Sequence, residues 1–261
     1  MYKAFKYKLK PTKLQINLLH QIGGSTRWLW NFMLNQSTQQ YKIDKHFIFK
    51  NQMMLQLPNL KQKYTFLSDV PSQSLQQKCM DLDKALKQKD KRFPKYKSKK
   101  YNNDSFRIIQ TNKHIKPTKS QIQLPKIGWI KWKRHTPLQG LLKSVTIKQE
   151  NNNWYCVCLC ELPDIQPITY TNQDVLGIDV GLTTFATCSD GSVFNTPKFY
   201  RSKQVELKRL QRNLSRKQKR SKNRSKCKVL LNKLHNKITC QRSDYLHKIS
   251  KQITNDYLLK V

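Results

Sequence analysis

Apolar and polar residues alternate from the start of the chain: Tyr2, Ala4 or Phe5, Tyr7 and Leu9 stand between lysines over residues 2–9. That period of two predicts an edge-like strand. Pro11-Thr12 then opens a helical spacing through Leu14, Leu18, Leu19 and Ile22, which Gly23-Gly24 interrupts. The segment from Arg27 through Trp28, Trp30, Phe32 and Leu34 resumes as a second helix, running to about Tyr41. A helix, a glycine turn and a helix fit a helix-turn-helix with its second helix in the major groove. They fit an ordinary helical hairpin better, with Trp28, Trp30, Phe32 and Leu34 bulky enough to be core. A further helix begins at Val70-Pro71-Ser72, with Leu75, Cys79, Leu82 and Leu86 along one face and Ser72 or Ser74 available to cap it.

Between residues 105 and 162 the period returns to two. Short runs at Ser105–Ile108, Gln121–Pro125, Gly128–Trp132, Ser144–Lys148 and Trp154–Leu159 predict strands, with Asn151-Asn152-Asn153 turning between the last two. Strands at this spacing suggest a small barrel, which residues 2–9 can join. Cys156, Cys158 and Cys160 share one face of their strand. They read either as metal ligands or as a buried face of small side chains. Pro163 to Thr171 reads as a boundary. Beyond it, the apolar run from Val175 to Cys188 carries one carboxylate, Asp179, with Gly177 and Gly181 on either side. Ser189-Asp190-Gly191-Ser192 then turns into a strand at Val193-Phe194.

Charge narrows the function. The 261 residues hold 51 Lys and Arg against 15 Asp and Glu, a formal net charge of +36. Self-repulsion on that scale calls for a polyanion, most simply nucleic acid. The basic residues spread over the whole chain rather than flanking one amphipathic helix, so a membrane surface is disfavoured. No signal peptide or long apolar run is visible, and seven cysteines without disulfide spacing suit a reducing cytoplasm. With no C-x-x-C pair, no zinc site is expected. Two tracts stand out. Arg92 to Tyr101 interleaves aromatics with cations, either as a solvated linker or as a stacking and phosphate track using Lys95, Tyr96, Lys97 and Lys99. Between Glu206 and Asp244 no acid occurs, while Lys208, Arg209, Arg212, Arg216, Lys217, Lys219, Arg220, Lys222, Arg224, Lys226 and, further on, Arg242 do. That run suits a phosphate backbone. A carboxylate within an apolar strand is costly unless a cation neutralises it, which points to Asp179 as a Mg²⁺ ligand beside a phosphate; the plainer alternative is a strand-end Asp hydrogen-bonded to a neighbouring loop.

Gly177-Ile178-Asp179-Val180-Gly181-Leu182 resembles the first RuvC motif of the OrfB/TnpB family of insertion-sequence proteins. The opening from Tyr7 to Gln15, Arg27 to Asn31, Phe93 to Lys97, Leu124 to Gly128, Ser144 to Ile147 and Asn236 to Ser250 are similar to that family as well. The resemblance implies an RNA-guided, Mg²⁺-dependent DNA endonuclease that takes a guide RNA from the element's end and acts in the bacterial cytoplasm, at the nucleoid. It implies an α+β fold: a wedge-like N-terminal β-barrel (1–10 plus 100–165), an inserted helical recognition bundle (11–99), and a partial RNase-H-like RuvC domain with a basic helical hairpin (172–261).

In the family a later strand supplies a catalytic Glu, and a further segment supplies an Asp. This sequence stops at Tyr257-Leu258-Leu259-Lys260-Val261, about where that strand should begin. The expectation is therefore a truncated nuclease, unable to cut alone and dependent on a missing C-terminal portion. A non-catalytic RNA/DNA-binding repressor or decoy is the alternative, and a general basic protein without sequence reading is a third.

Overall fold

The computed structural model describes residues 1–88, 93–99, 104–109, 114–151, 153–164 and 176–258, with side chains to residue 254. Arg92, Lys100, Tyr101, Asn152, the boundary from 165 to 171, Val175, the Asp256 side chain and residues 259–261 lie outside the described residues. The chain forms two units, residues 1–165 and 166–261.

In the first unit, alternation decides which side chains face inward. Strand β1 (Tyr2–Lys10) buries Phe5, Tyr7 and Leu9 and turns Lys6, Lys8 and Lys10 outward. The sheet holds β1 with β2 (Ser105–Ile108), β3 (Lys116–Pro117), β4 (Gln121–Leu124), β5 (Gly128–Lys133), β6 (Leu141–Glu150) and β7 (Asn153–Glu161). Its order is β2-β6-β7-β1-β5-β4-β3, antiparallel throughout. Two expectations are corrected. β1 is central rather than an edge, because it pairs with β7 on one side and β5 on the other. The sheet is not a closed barrel: β2 and β3 end it and share no ladder among the described residues. With four and two residues, they are too short to complete a ring of tilted strands.

The helices are α1 (Lys13–Asp44), α2 (Lys50–Leu55), α3 (Leu57–Lys63) and α4 (Ser72–Lys87). α1 starts at a reciprocal cap: the Gln15 N–H donates to Thr12 Oγ1 at 3.3 Å, and the Thr12 N–H donates to Gln15 Oε1 at 3.0 Å. It ends at Lys45, which takes the left-handed conformation with φ 62°. The expected glycine turn does not occur; α1 runs unbroken through Gly23 and Gly24. Gly23 serves close packing instead, since a Cβ there would lie 2.7 Å from Asp104 Cβ. Asp104 can then pair with Arg27, one turn further along.

Neither serine caps α4. Pro71 occupies that position, and Ser74 Oγ donates across to the Arg107 carbonyl at 3.1 Å. Leu19, Leu29, Leu34, Leu75 and Leu82 join Phe106, Ile147 and the three strand cysteines in one core. Cys156, Cys158 and Cys160 are fully buried with free thiols. Burial drives the Cys156 thiol pKa well above its ordinary value, so it packs as a neutral small side chain.

The second unit is smaller. β8 (Ile178–Asp179), β9 (Thr184–Cys188) and β10 (Val193–Asn195) form a sheet of order β10-β9-β8. α5 (Phe199–Ser215) and α6 (Lys222–Leu258) pack against each other through Leu207, Leu234 and Ile238. The basic tract before Leu231 is thus helical, mostly on α5 and the start of α6.

Candidate nucleic-acid interface and metal-binding carboxylate

Asp179 ends β8, opposite Thr187 of β9. The sequence places it inside an apolar strand; the structure exposes it, and this is a correction. β8 is a two-residue edge strand whose ladder among the described residues is with β9 alone, so its aliphatic neighbours are exposed too, Leu182 at 98%. Ala186 and Cys188 of β9 take the buried positions. Gly181 has a local role. A Cβ at Gly181 would lie 2.8 Å from the Thr184 carbonyl oxygen, and the Gly181 N–H donates to the Phe185 carbonyl at 3.2 Å. Gly181 therefore permits the tight β8–β9 turn. Asp190 does what its turn setting suggests, accepting the Ser192 N–H at 2.9 Å beside Gly191 at φ 84°.

Lys208, Arg209 and Arg212 are exposed on α5, and Arg216, Lys217, Lys219, Arg220, Lys222 and Lys226 are exposed around the connection and the first turns of α6. Arg224 differs. Its guanidinium donates to the Leu214 carbonyl and, at 3.1 Å, to the Lys217 carbonyl, so it closes the C-terminal end of α5. Arg242 is exposed and lines a groove of about 460 Å³ with Leu182, Thr183, Lys198, Tyr200 and Arg201.

In the first unit, the segment 93–99 is pinned along α1 rather than lying as a solvated linker. Trp30 Nε1 donates to the Lys95 carbonyl at 3.1 Å, Asn31 exchanges hydrogen bonds with Lys97 at 2.8 and 3.0 Å, and Tyr96 Oη donates to Asn35 Oδ1 at 3.3 Å. Lys95, Tyr96 and Lys99 remain exposed. Lys97 also keeps solvent contact, but its ammonium stands 3.7 Å from the centre of the Trp30 ring. Desolvation, and then the neighbouring Lys78, push the Lys97 pKa down to about 8.

Sequence reasoning missed two features. One is Lys78, a cation 6% exposed on α4 whose ammonium donates to the Ser105 carbonyl at 3.2 Å. Its place at the edge of an apolar stripe gave no signal of burial. The other is the outer face of the sheet, where Lys8 stands opposite Lys133 and Lys10 opposite Lys131. Like charges directly across a ladder repel. No ion pair neutralises these four among the described residues, although Lys6 and Lys148 both meet Glu150. Sequence shows the lysines but not their register.

Two family models match the chain: one described as "Probable transposase" over residues 157–261, the other as "Helix-turn-helix domain" over residues 1–46. Over the latter the fold supplies β1 and the single helix α1. These matches define a class, the transposases of insertion sequences. Within it, the chain belongs to the OrfB/TnpB family. It is 34% identical over 263 residues to "Putative RNA-guided DNA endonuclease InsQ" of Escherichia coli (strain K12), covering 99% of this chain and 65% of that protein. It is 31% identical over 263 residues to "Putative RNA-guided DNA endonuclease" of Streptomyces pristinaespiralis, covering 97% of this chain and 64% of that one. The chain thus spans just under two-thirds of the length of these relatives.

Proposed function

We propose that this chain is the RNA- and target-binding part of an RNA-guided DNA endonuclease, and that Asp179 is one carboxylate of its Mg²⁺-dependent cleavage centre. The observation that carries the reading is the likeness along 99% of the chain to a relative named for that activity. The charge of +36 and the exposed cations of α5 and α6 suit a phosphate backbone. In the first unit, the lysine rows of the sheet and the pinned 93–99 segment offer a second such surface. Domain assignments follow the same reading: the sheet as wedge, the inserted helices 11–99 as recognition region, and residues 172–261 as the early part of a RuvC-type, RNase-H-like domain. Among the described residues no helix is long and apolar enough to cross a membrane, and we assign the protein to the cytoplasm, at the nucleoid.

The carboxylate fits Mg²⁺ in one respect: it stands open at a strand end, with room for water and a phosphate oxygen around it. It supplies one ligand position. Phosphodiester cleavage of the two-metal type needs several carboxylates around ions about 3.5–4 Å apart. Among the described residues no three His, Cys, Asp or Glu side chains are grouped to hold an ion. The 261-residue polypeptide by itself is therefore proposed to hold RNA and DNA without cutting, and to need further carboxylates for cleavage.

The test is RNA co-purification followed by a nicking assay with Mg²⁺. Selective RNA retention without nicking is expected. Metal-dependent nicking that Asp179→Ala abolishes would show a self-sufficient enzyme. Binding without preference among RNAs would refute the guided reading.

A further inference from the structure

A cleft of about 270 Å³ opens where α1, α4 and residues 93–99 meet. Its charged lining among the described residues is Arg27, Lys78, Lys97 and Asp104, three cations against one carboxylate. Arg27 and Asp104 neutralise each other as a pair with side chains only 17% and 12% exposed. The two lysines are less well matched. Lys78 makes its ion pair with Asp81 at 3.8 Å, and the Lys97 ammonium rests on Trp30, which attracts a cation without neutralising it. The Lys78 ammonium is also near enough to lower the Lys97 pKa, after the larger effect of desolvation. Two like charges held together at the edge of a core cost stability unless something anionic joins them.

We propose that this cleft binds a phosphomonoester, either the terminal phosphate of a nucleic-acid strand or that of a free nucleotide. A monoester is a dianion near neutral pH, since its second pKa is about 6, and the three cations of the lining outnumber its one carboxylate even with Asp81 beside Lys78. An internal diester brings one charge and must thread a nucleoside out on both sides. A terminal phosphate enters by one end. Exposed Tyr96 at the rim offers a ring for the attached base, and an adjoining cleft of about 790 Å³ shares Arg27 and Asp104 and adds Trp28, Phe66 and Lys99. The strand-end form rests on the RNA-guided reading above; the nucleotide form does not.

The experiment measures binding of the whole 261-residue chain to a short single-stranded RNA bearing a phosphate at its 5′ end, at its 3′ end, or at neither. Inorganic phosphate and adenosine monophosphate serve as competitors. One phosphorylated end is expected to bind about tenfold tighter than the hydroxyl-ended strand, a ratio that reports the monoester alone. Lys97→Met and Lys78→Met are each expected to abolish that preference, while Lys61→Gln, which does not line the cleft, keeps it. Lys78→Met replaces a buried cation with an apolar chain of similar length, so folding is retained, and tryptophan fluorescence checks it. Competition by adenosine monophosphate at the affinity of the phosphorylated strand identifies a free nucleotide as the ligand. Absence of any end preference together with no competition by either small anion overturns the proposal, as does a preference that survives both lysine variants. Hydroxyl-ended RNA that binds normally in that case leaves the RNA-guided reading standing. Failure to bind any RNA, with the small anions still bound, removes that reading and keeps the cleft.

Discussion

Gly23 and Gly24 are adjacent on α1, yet replacing each with alanine should move stability in opposite directions. A Cβ at Gly24 meets only Arg27 Nη2, at 3.6 Å, an ordinary contact with the end of a flexible side chain. Gly24→Ala therefore keeps the helix-propensity gain, about 0.5–1 kcal/mol. A Cβ at Gly23 would lie 2.7 Å from Asp104 Cβ and 3.2 Å from its Cγ. No side-chain rotation relieves a clash at Cβ, so the backbone at Asp104 must retreat, and the pair with Arg27 goes with it. Leaving a buried charge without its partner costs about 3–5 kcal/mol. Here the partner is displaced rather than deleted and both groups keep some water, so roughly half of that applies. After the propensity gain, Gly23→Ala should destabilise by about 0.5–2 kcal/mol. The two variants should then differ by about 1–3 kcal/mol, and with a urea m-value of about 1–3 kcal/mol/M their midpoints should separate by roughly 1 M. All five tryptophans (Trp28, Trp30, Trp129, Trp132 and Trp154) lie in residues 1–165, so their fluorescence follows this unit without reporting on the other. Equal destabilisation by both alanines would mean a glycine turn after all. Equal stabilisation would mean that Asp104 does not pack against α1.

Thr12→Ala removes the side chain that accepts the Gln15 N–H and should cost about 1 kcal/mol in the same urea titration. Lys133→Glu replaces a repulsive pair with Lys8 by an attractive one, so it should stabilise the sheet by about 0.5–1 kcal/mol while weakening RNA binding and flattening its salt dependence. Lys97 gives a pH signature. Its folded pKa of about 8 lies below the usual 10.5, so the unfolded chain binds more protons between those values, and its contribution to stability rises with pH across that window. Lys97→Met should remove that slope, and phosphate affinity in the cleft, which Lys78, Arg27, Asp104 and Asp81 also influence, should fall as pH rises through 8. Of the seven cysteines only Cys240 is exposed, so a thiol reagent should label one site in the native protein and the rest on unfolding.

What the sequence could and could not reveal divides along physical lines. Strands β2 and β4 to β7 were legible because each needs only its own alternation to bury one face, and Cys156, Cys158 and Cys160 fell on the buried side by the same rule. The α4 stripe was legible from spacing alone. Long-range facts were not. Glycine at position 23 signals either a turn or a close approach, and only the partner, Asp104, far along the chain, decides which. Lysines on β1 suggested an edge, yet a strand with one wet face can sit in the middle of a sheet, where pairing on both sides fixes its place. Asp179 shows the same limit. Its aliphatic neighbours argued for burial, but aliphatics bury only when another layer covers them, and Ile178 of β8 is exposed here with Val180 and Leu182 of the turn that follows. Identity survives this error because it rests on the motif's residues and on likeness along the chain, neither of which requires the carboxylate to be enclosed. The proposed Mg²⁺ chemistry is what the exposure weakens, because a lone carboxylate in open water binds Mg²⁺ poorly.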